Sequence, residues 1–349
     1  MAAILDNSHR KGRKGMKAKE GHRYYKERTR LETVIPLETP FILFVDPSSV
    51  CNLQCKFCPC GAAHNELWTE EKRKSIGFME METFKKVIDD CQDFKDKIKV
   101  LRMYKEGEPL LNPNFVDMLR YAKESGKFMS IDTTTNGTLL NPKLNRELVA
   151  AGLNRINISV DGLSSQEYEE VCGRKIDFEA FRSNIKDLYE HKGDCHIFIK
   201  TVIGKCSEEE AKAKKERFYE LFGDICDEIA CENLAPVWPG FDKEMYSETG
   251  IYGNRIQNRV VCARLFYILV INSDGEATPC LVDWNRKMIM GNVKDYTVSQ
   301  LWEKMRVYQV EHLKGNRFEM EGCKDCLEVD VTAIDNIDEY REELLKRFI

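Results

Sequence analysis

The chain has 349 residues, 32% charged and 42% apolar, with a formal net charge of −5. That length buries one large core or two unequal domains, and the slightly acidic balance excludes general electrostatic attraction to nucleic acid or to an anionic membrane. No apolar run is long enough to span a bilayer and the N-terminus lacks the apolar core of a signal peptide, so the fourteen cysteines suit metal or redox chemistry in a reducing cytoplasm better than disulfides.

Residues 1–40 read as a basic extension, with ten Lys or Arg from Arg10 to Arg30 against Asp6, Glu20 and Glu27. Composition predicts a solvated, partly disordered tail; docking to an acidic or phosphorylated partner is the sharper alternative. From residue 41 to 236, strand-like segments alternate with amphipathic helices. The predicted strands are Phe41–Val45, Ile98–Met103, Met129–Thr133, Arg155–Val160, His196–Ile203 and Glu228–Pro236. Between them Met81, Phe84, Val87, Ile88, Cys91 and Phe94 recur at helical spacing, as do Phe115, Met118, Leu119 and Ala122. Pro142 opens a third helix, Phe178 to Leu188 form a fourth, and Ser207 with Glu210 is a capping-box pattern before a fifth. Six strands separated by five helices predict a parallel sheet. Periodicity leaves open whether it is a doubly wound sheet or a partial barrel. Residues 237–349 read as a smaller, separate module: a hairpin turning at Ser273-Asp274-Gly275-Glu276, a helix over 299–312 and a terminal helix over 338–348.

The chemistry begins directly after the first strand, at Cys51-Asn52-Leu53-Gln54-Cys55-Lys56-Phe57-Cys58. Three thiolates so placed can hold three irons of a cubane cluster and leave the fourth open to a small molecule. A zinc knuckle is the competing reading. The C-x3-C-x2-C spacing, with an aromatic residue before the third cysteine, resembles the radical S-adenosylmethionine superfamily. That resemblance implies that the open iron chelates the amino and carboxylate groups of S-adenosylmethionine. One electron then cleaves the sulfonium, and the 5′-deoxyadenosyl radical abstracts hydrogen from a substrate. It also implies an α/β fold, a partial (β/α)6 TIM-type barrel with a small C-terminal iron–sulfur module, and a low-potential donor of flavodoxin or ferredoxin type.

Three strand-end segments extend the resemblance. Gly107-Glu108-Pro109 resembles the Gly-Glu-Pro motif that contacts the methionyl amine, although Glu106 stands where the family often has a second glycine. Asn136, after the third strand, and Ser159 with Asp161, ending the fourth, resemble segments that frame the methionyl and ribose portions. The resemblance further implies that Arg174 reaches the methionyl carboxylate and that Phe57 walls the adenine. Singly, each segment is also an ordinary turn; their succession at strand ends favours the site.

Cys262, Cys280, Cys323 and Cys326 can complete a cubane with no open iron. Their order resembles the twitch module, a shortened SPASM extension, and implies one auxiliary [4Fe–4S] cluster; zinc is again the competitor. Cys60 and Cys91 are expected to be structural, and Cys226 and Cys231 buried. The expected function is a radical S-adenosylmethionine oxidoreductase acting on a small polar substrate, a sugar- or cyclitol-like alcohol. Net two-electron oxidation would finish at the auxiliary cluster. A peptide- or protein-modifying maturase is the alternative, and a non-catalytic two-cluster electron carrier is the reading from another class. Trp238, Arg264, Trp284 and Arg286 are candidate pocket residues between the modules, and no catalytic base is assigned.

Overall fold

The computed structural model describes residues 17–21, 28–239, 246–332 and 335–349. Arg10, Arg13 and much of the basic extension lie outside the described residues, as does Gly240. Among the described residues ten strands are present: β1 (Lys19–Glu20), β2 (Ile42–Val45), β3 (Ile98–Arg102), β4 (Phe128–Thr135), β5 (Arg155–Ser159), β6 (His196–Ile203), β7 (Glu228–Asn233), β8 (Ile268–Ile271), β9 (Glu276–Thr278) and β10 (Gly291–Asn292). They form one sheet in the order β1-β7-β6-β5-β4-β3-β2-β8-β9-β10.

From β2 to β7 every strand lies parallel to its sequence neighbour, and the order never reverses. Crossovers of constant right hand then put all connecting helices on one face, whereas a doubly wound sheet reverses at a switch point. The strand order therefore settles what periodicity left open, and the architecture is the partial (β/α)6 barrel. The helices are α1 (Met81–Asp90), α2 (Phe115–Glu124), α3 (Pro142–Ala150), α4 (Ser165–Cys172), α5 (Phe178–Glu190) and α6 (Glu208–Phe222). The capping box of α6 is complete: Glu210 N–H donates to Ser207 Oγ (3.2 Å) and Ser207 N–H to Glu210 Oε2 (2.9 Å).

Strand alternation separates two faces. Leu43, Leu101, Ile131, Ile156 and Ile197 share the apolar core with Phe84, Val87, Phe115, Leu148 and Ile185 of the helices. One residue along, Phe44, Arg102, Asp132 and Arg155 stand in register across β2 to β5. This second face is polar: Arg102 pairs with Asp132 (3.4 Å) and Arg155 with Glu228 (3.1 Å). A barrel interior with charge at its strands is suited to hold a polar molecule at the strands' C-terminal ends.

The later segment does not build a sheet of its own. β8 runs parallel to β2, with Leu43 opposite Leu269, and β9 and β10 follow antiparallel. At the turn, Gly275 takes φ 86°, a left-handed conformation that favours glycine. The long helix α7 (Val298–Lys314) and the terminal helix α8 (Arg341–Phe348) pack against each other and the core.

At the opposite edge the basic extension is not merely a solvated tail where it is described. β1 pairs in parallel with β7, Gly21 N–H donates to Ile229 O (3.1 Å), and Arg28 pairs with Asp335. Composition missed this because a two-residue strand carries no periodicity. Among the described residues no helix is long and apolar enough to cross a membrane.

Candidate active site

β2 carries the chain to the C-terminal end of the sheet, where Asp46 N–H still donates to Ile271 O (2.9 Å). The cysteine loop that follows is clamped from two sides. Gln54 N–H donates to Cys172 O (2.8 Å) and Lys56 N–H to Val171 O (3.1 Å), at the end of α4. From the other side, Gly107 N–H donates to Ser48 O (3.0 Å) and Glu108 N–H to Val50 O (2.9 Å). A Cβ on Gly107 would lie 2.3 Å from Val50 O and 2.4 Å from Ser48 O. Only glycine permits that approach.

Glu108 is buried and accepts three hydrogen bonds: from Leu110 N–H (3.0 Å), Thr135 Oγ1 (2.7 Å) and Asn136 N–H (2.7 Å). Burial pushes its carboxyl up to about 7 despite those donors. Pro109 is buried beside it. Asn136 turns its amide toward the cysteine loop, donating to Asn52 Oδ1 (2.8 Å) and to Cys51 Sγ (3.9 Å). Asn52 in turn donates to Thr138 Oγ1 (2.8 Å). The segments after β3 and β4 are thus joined to the loop by hydrogen bonds. Ser159, half-buried, ends β5, and buried Asp161 follows it. Phe57 is half-buried within the loop, while Arg174 is exposed, just past Gly173 at the end of α4.

Two further thiols stand among these groups: Cys60, two residues past Cys58 in the sequence, and Cys172, which no spacing revealed. Buried Cys172 joins Cys55 and Asp161, whose ligand atoms all lie within 4.8 Å of one another. A hydrogen bond with the Cys172 thiol, then burial, pushes the Cys55 thiol well up. Buried Cys60 sits against Cys58, and its hydrogen bond holds the Cys58 thiol below its ordinary value despite burial. Burial pushes Cys51 up to about 11.

The second set of cysteines comes from three separate places. Cys262 precedes β8, Cys280 follows β9, and Cys323 and Cys326 lie beyond α7. Cys280, Cys323 and Cys326 share an apolar pocket with Val282, Met288 and Trp238. Burial raises all four thiols, Cys262 to about 11 and Cys326 to about 12, and neighbouring thiols add to the effect at Cys280, Cys323 and Cys326. Such a set becomes thiolate only against a metal's positive charge. His312 of α7 was not foreseen: its Nδ1 accepts from Cys262 N–H (3.0 Å), and burial lowers the imidazole to about 3, keeping it neutral.

Four thiolates on zinc stand about 3.8 Å apart, given zinc–sulfur bonds of about 2.3 Å. No three sulfurs of Cys51, Cys55 and Cys58, or of the C-terminal four, lie within 4.8 Å of one another. The four candidate pocket residues part company. Trp284 lines a cavity of about 150 Å³ with Leu67, Lys287, Glu321 and Asp325, and Trp238 packs on the Cys280 cluster. Arg264 is paired with Glu328, and Arg286 is buried among acids away from that cavity.

Two family descriptions match the chain: Radical SAM superfamily over residues 45–213, and Iron-sulfur cluster-binding domain, SPASM, over residues 262–327. The chain belongs to the radical SAM superfamily. Its cofactors are accordingly a [4Fe–4S] cluster with S-adenosylmethionine and auxiliary iron–sulfur in the SPASM segment. The chain is 25% identical over 324 residues to the tungsten-containing aldehyde ferredoxin oxidoreductase cofactor-modifying protein of Pyrococcus furiosus, covering 81% of this chain and 86% of that one. It is 24% identical over 355 residues to the AdoMet-dependent heme synthase of Methanosarcina barkeri, covering 87% and 95%. Among solved structures, anSMEcpe with bound AdoMet superposes with TM-score 0.58 at 18% identity, covering 88% of this chain and 96% of that one. BtrN in complex with AdoMet and 2-DOIA superposes with TM-score 0.51 at 19% identity, covering 82% and 92%.

Proposed function

We propose that this radical SAM enzyme is an oxidoreductase that acts on a small polar molecule, a sugar- or cyclitol-like alcohol, with net two-electron oxidation. In this reading the barrel over 41–236 holds the reacting groups, and 237–349 supplies the electron acceptor. Cys51, Cys55 and Cys58 hold the first cluster. Cys262, Cys280, Cys323 and Cys326 hold one auxiliary [4Fe–4S] cluster. When bound, the first cluster and S-adenosylmethionine together supply a 5′-deoxyadenosyl radical, the agent that removes a hydrogen atom.

The chain's own residues do the positioning. Glu108, buried and fixed by three donors, presents its backbone and carboxylate toward the methionyl amine. Gly107 and Pro109 shape that turn. Asn136 ties the turn after β4 to Cys51, and Ser159 and Asp161 frame the ribose side. Phe57 and Arg174 close the adenine and methionyl carboxylate ends. A low-potential electron carrier is the required redox partner.

The observation that carries this reading is the pairing of an open three-thiol loop with a four-thiol site on the same sheet. Four protein ligands leave no iron for substrate, which suits electron transfer. A second reading, modification of a larger cofactor, is favoured by the relatives that align along most of the chain: one named as a heme synthase, the other as a cofactor-modifying protein.

The test is anaerobic reconstitution, with iron analysis expected to give about eight irons per chain. Reduced protein should release 5′-deoxyadenosine, and deuterated aminocyclitols or sugars should transfer deuterium into it. Transfer from a porphyrin precursor instead selects the second reading. About four irons with one zinc removes the auxiliary cluster.

A further inference from the structure

Glu106, the residue that departs from the family's glycine, lies at the centre of a sealed group of charges. Its carboxylate is paired with Lys72, with Lys105 (2.6 Å) and with Arg286 (3.7 Å). The side chains of Glu106, Lys72, Lys105 and Arg286 are all 0% exposed. Burial opposes ionisation of Glu106, but Lys105, Lys72 and Arg286 together hold its carboxyl well below the usual range. Asp46 is the other sealed carboxylate nearby, and neither of its oxygens accepts a hydrogen bond. Burial first, then the charge of Glu106, pushes Asp46 up to about 7.

Three cations, Lys72, Lys105 and Arg286, stand against two carboxylates, Glu106 and Asp46, one of them readily protonated. Asp274 (3.4 Å) and Glu276 (3.8 Å) also face Arg286, from the partly exposed hairpin. Lys105 is turned the same way, donating to Asn272 Oδ1 (2.7 Å) and Asp283 O (3.4 Å). Lys72 is linked toward the cysteine loop through Trp68, whose Nε1–H donates to Pro59 O (2.9 Å), the residue between Cys58 and Cys60. It is carried on the short helix Glu70–Lys74, over the Trp68 ring at 5.8 Å, and its charge is felt at both Cys58 and Cys60. A sealed ammonium is costly unless an anion faces it. Glu106 is that anion for Lys72, and the pair fixes the ammonium against Trp68 on the side of the cysteine loop.

We propose that Glu106 positions Lys72 as a fixed cation beside the Cys51–Cys55–Cys58 site, where its charge raises the reduction potential of the cluster held there. A nearby positive charge favours the more negative, reduced form, and potentials of such clusters respond to surrounding charge and hydrogen bonding. The inference rests on the assignment of these three cysteines as cluster ligands. It assigns to Lys72 and Glu106 a role that the Gly-Glu-Pro resemblance does not contain.

The experiment is a reductive titration of the anaerobically reconstituted full chain, following the first cluster by electron paramagnetic resonance. Lys72→Met is expected to lower its midpoint potential, and Lys72→Arg, which keeps the charge, to leave it near that of the unsubstituted chain. Glu106→Gly removes the anchor and should move the potential toward that of Lys72→Met. The C-terminal cluster serves as the internal reference and should move less than the first in Lys72→Met. Equal potentials in Lys72→Met and Lys72→Arg, at matched iron content, overturn the proposal, because a packing role alone gives that result. A higher potential in Glu106→Gly also overturns it, since Glu106 would then act only as an anion. Absence of a cluster signal in the unsubstituted chain, with the triplet's thiols still reactive, refutes the underlying cysteine assignment instead.

Discussion

The two cysteine sites use opposite construction. At the first, three half-buried thiols follow one another on a single loop, and hydrogen bonds to neighbouring backbone hold that loop in place. At the second, four thiols converge from three separate segments, and Cys280 and Cys323 are buried. A loop clamped by backbone would leave one side of a bound metal free for a ligand. Thiols gathered from several directions would enclose theirs. The difference teaches that openness is set by how many chain segments surround a site as well as by how many sulfurs it has.

The largest expected effect breaks the first site. Cys55→Ala with Cys58→Ala should abolish 5′-deoxyadenosine formation and bring iron from about eight to about four per chain. Retention of cleavage would mean that the open site lies elsewhere. Breaking the second site should give the opposite separation: Cys280→Ala with Cys326→Ala leaves S-adenosylmethionine cleavage detectable while substrate turnover is lost. If cleavage also vanishes in a folded protein, the two sites do not have distinct roles.

A smaller effect tests the clamp. Gly107→Ala forces a methyl group against Val50 O and Ser48 O, and overpacking of this kind costs about 1–3 kcal/mol. The expected result is a lower melting temperature with weaker S-adenosylmethionine binding, and C-terminal iron unchanged. The smallest effect concerns the ground between the sites. Burial holds the folded-state carboxyl of Asp46 above its unfolded value, so its contribution is favourable at acid pH and is lost as pH rises toward about 7. Denaturant midpoints of the cluster-free chain should therefore fall less steeply over that range in Asp46→Asn. An identical slope in both proteins would show that Asp46 keeps an ordinary carboxyl.

Much of this was legible in the sequence because it is local. The triplet, Gly107-Glu108-Pro109 and the capping box at Ser207 each occupy a few consecutive residues whose chemistry travels with them. The six parallel strands were legible from alternation with helices, though their order required the structure, since hydrophobic pattern carries no information about neighbours. What stayed hidden was long-range contact. Cys172 reaches Cys55 across more than a hundred residues, and His312 supports Cys262 from a separate helix. Glu106 looked like a mild departure from a motif until Lys72 and Arg286 were seen beside it. A charged residue's partner is decided by the fold, and the sequence alone displays only the charge.

The strand β1 has a consequence for handling the protein. Without residues 17–21, β7 would present its unpaired N–H and C=O groups as an open edge, the kind of surface along which sheets join one another. Glu20, held by Lys215 (2.7 Å) and by Tyr219 Oη (2.6 Å), fastens that cover. Trimming the chain past Gly21 to remove its basic extension would therefore invite self-association, seen as higher-order species in light scattering.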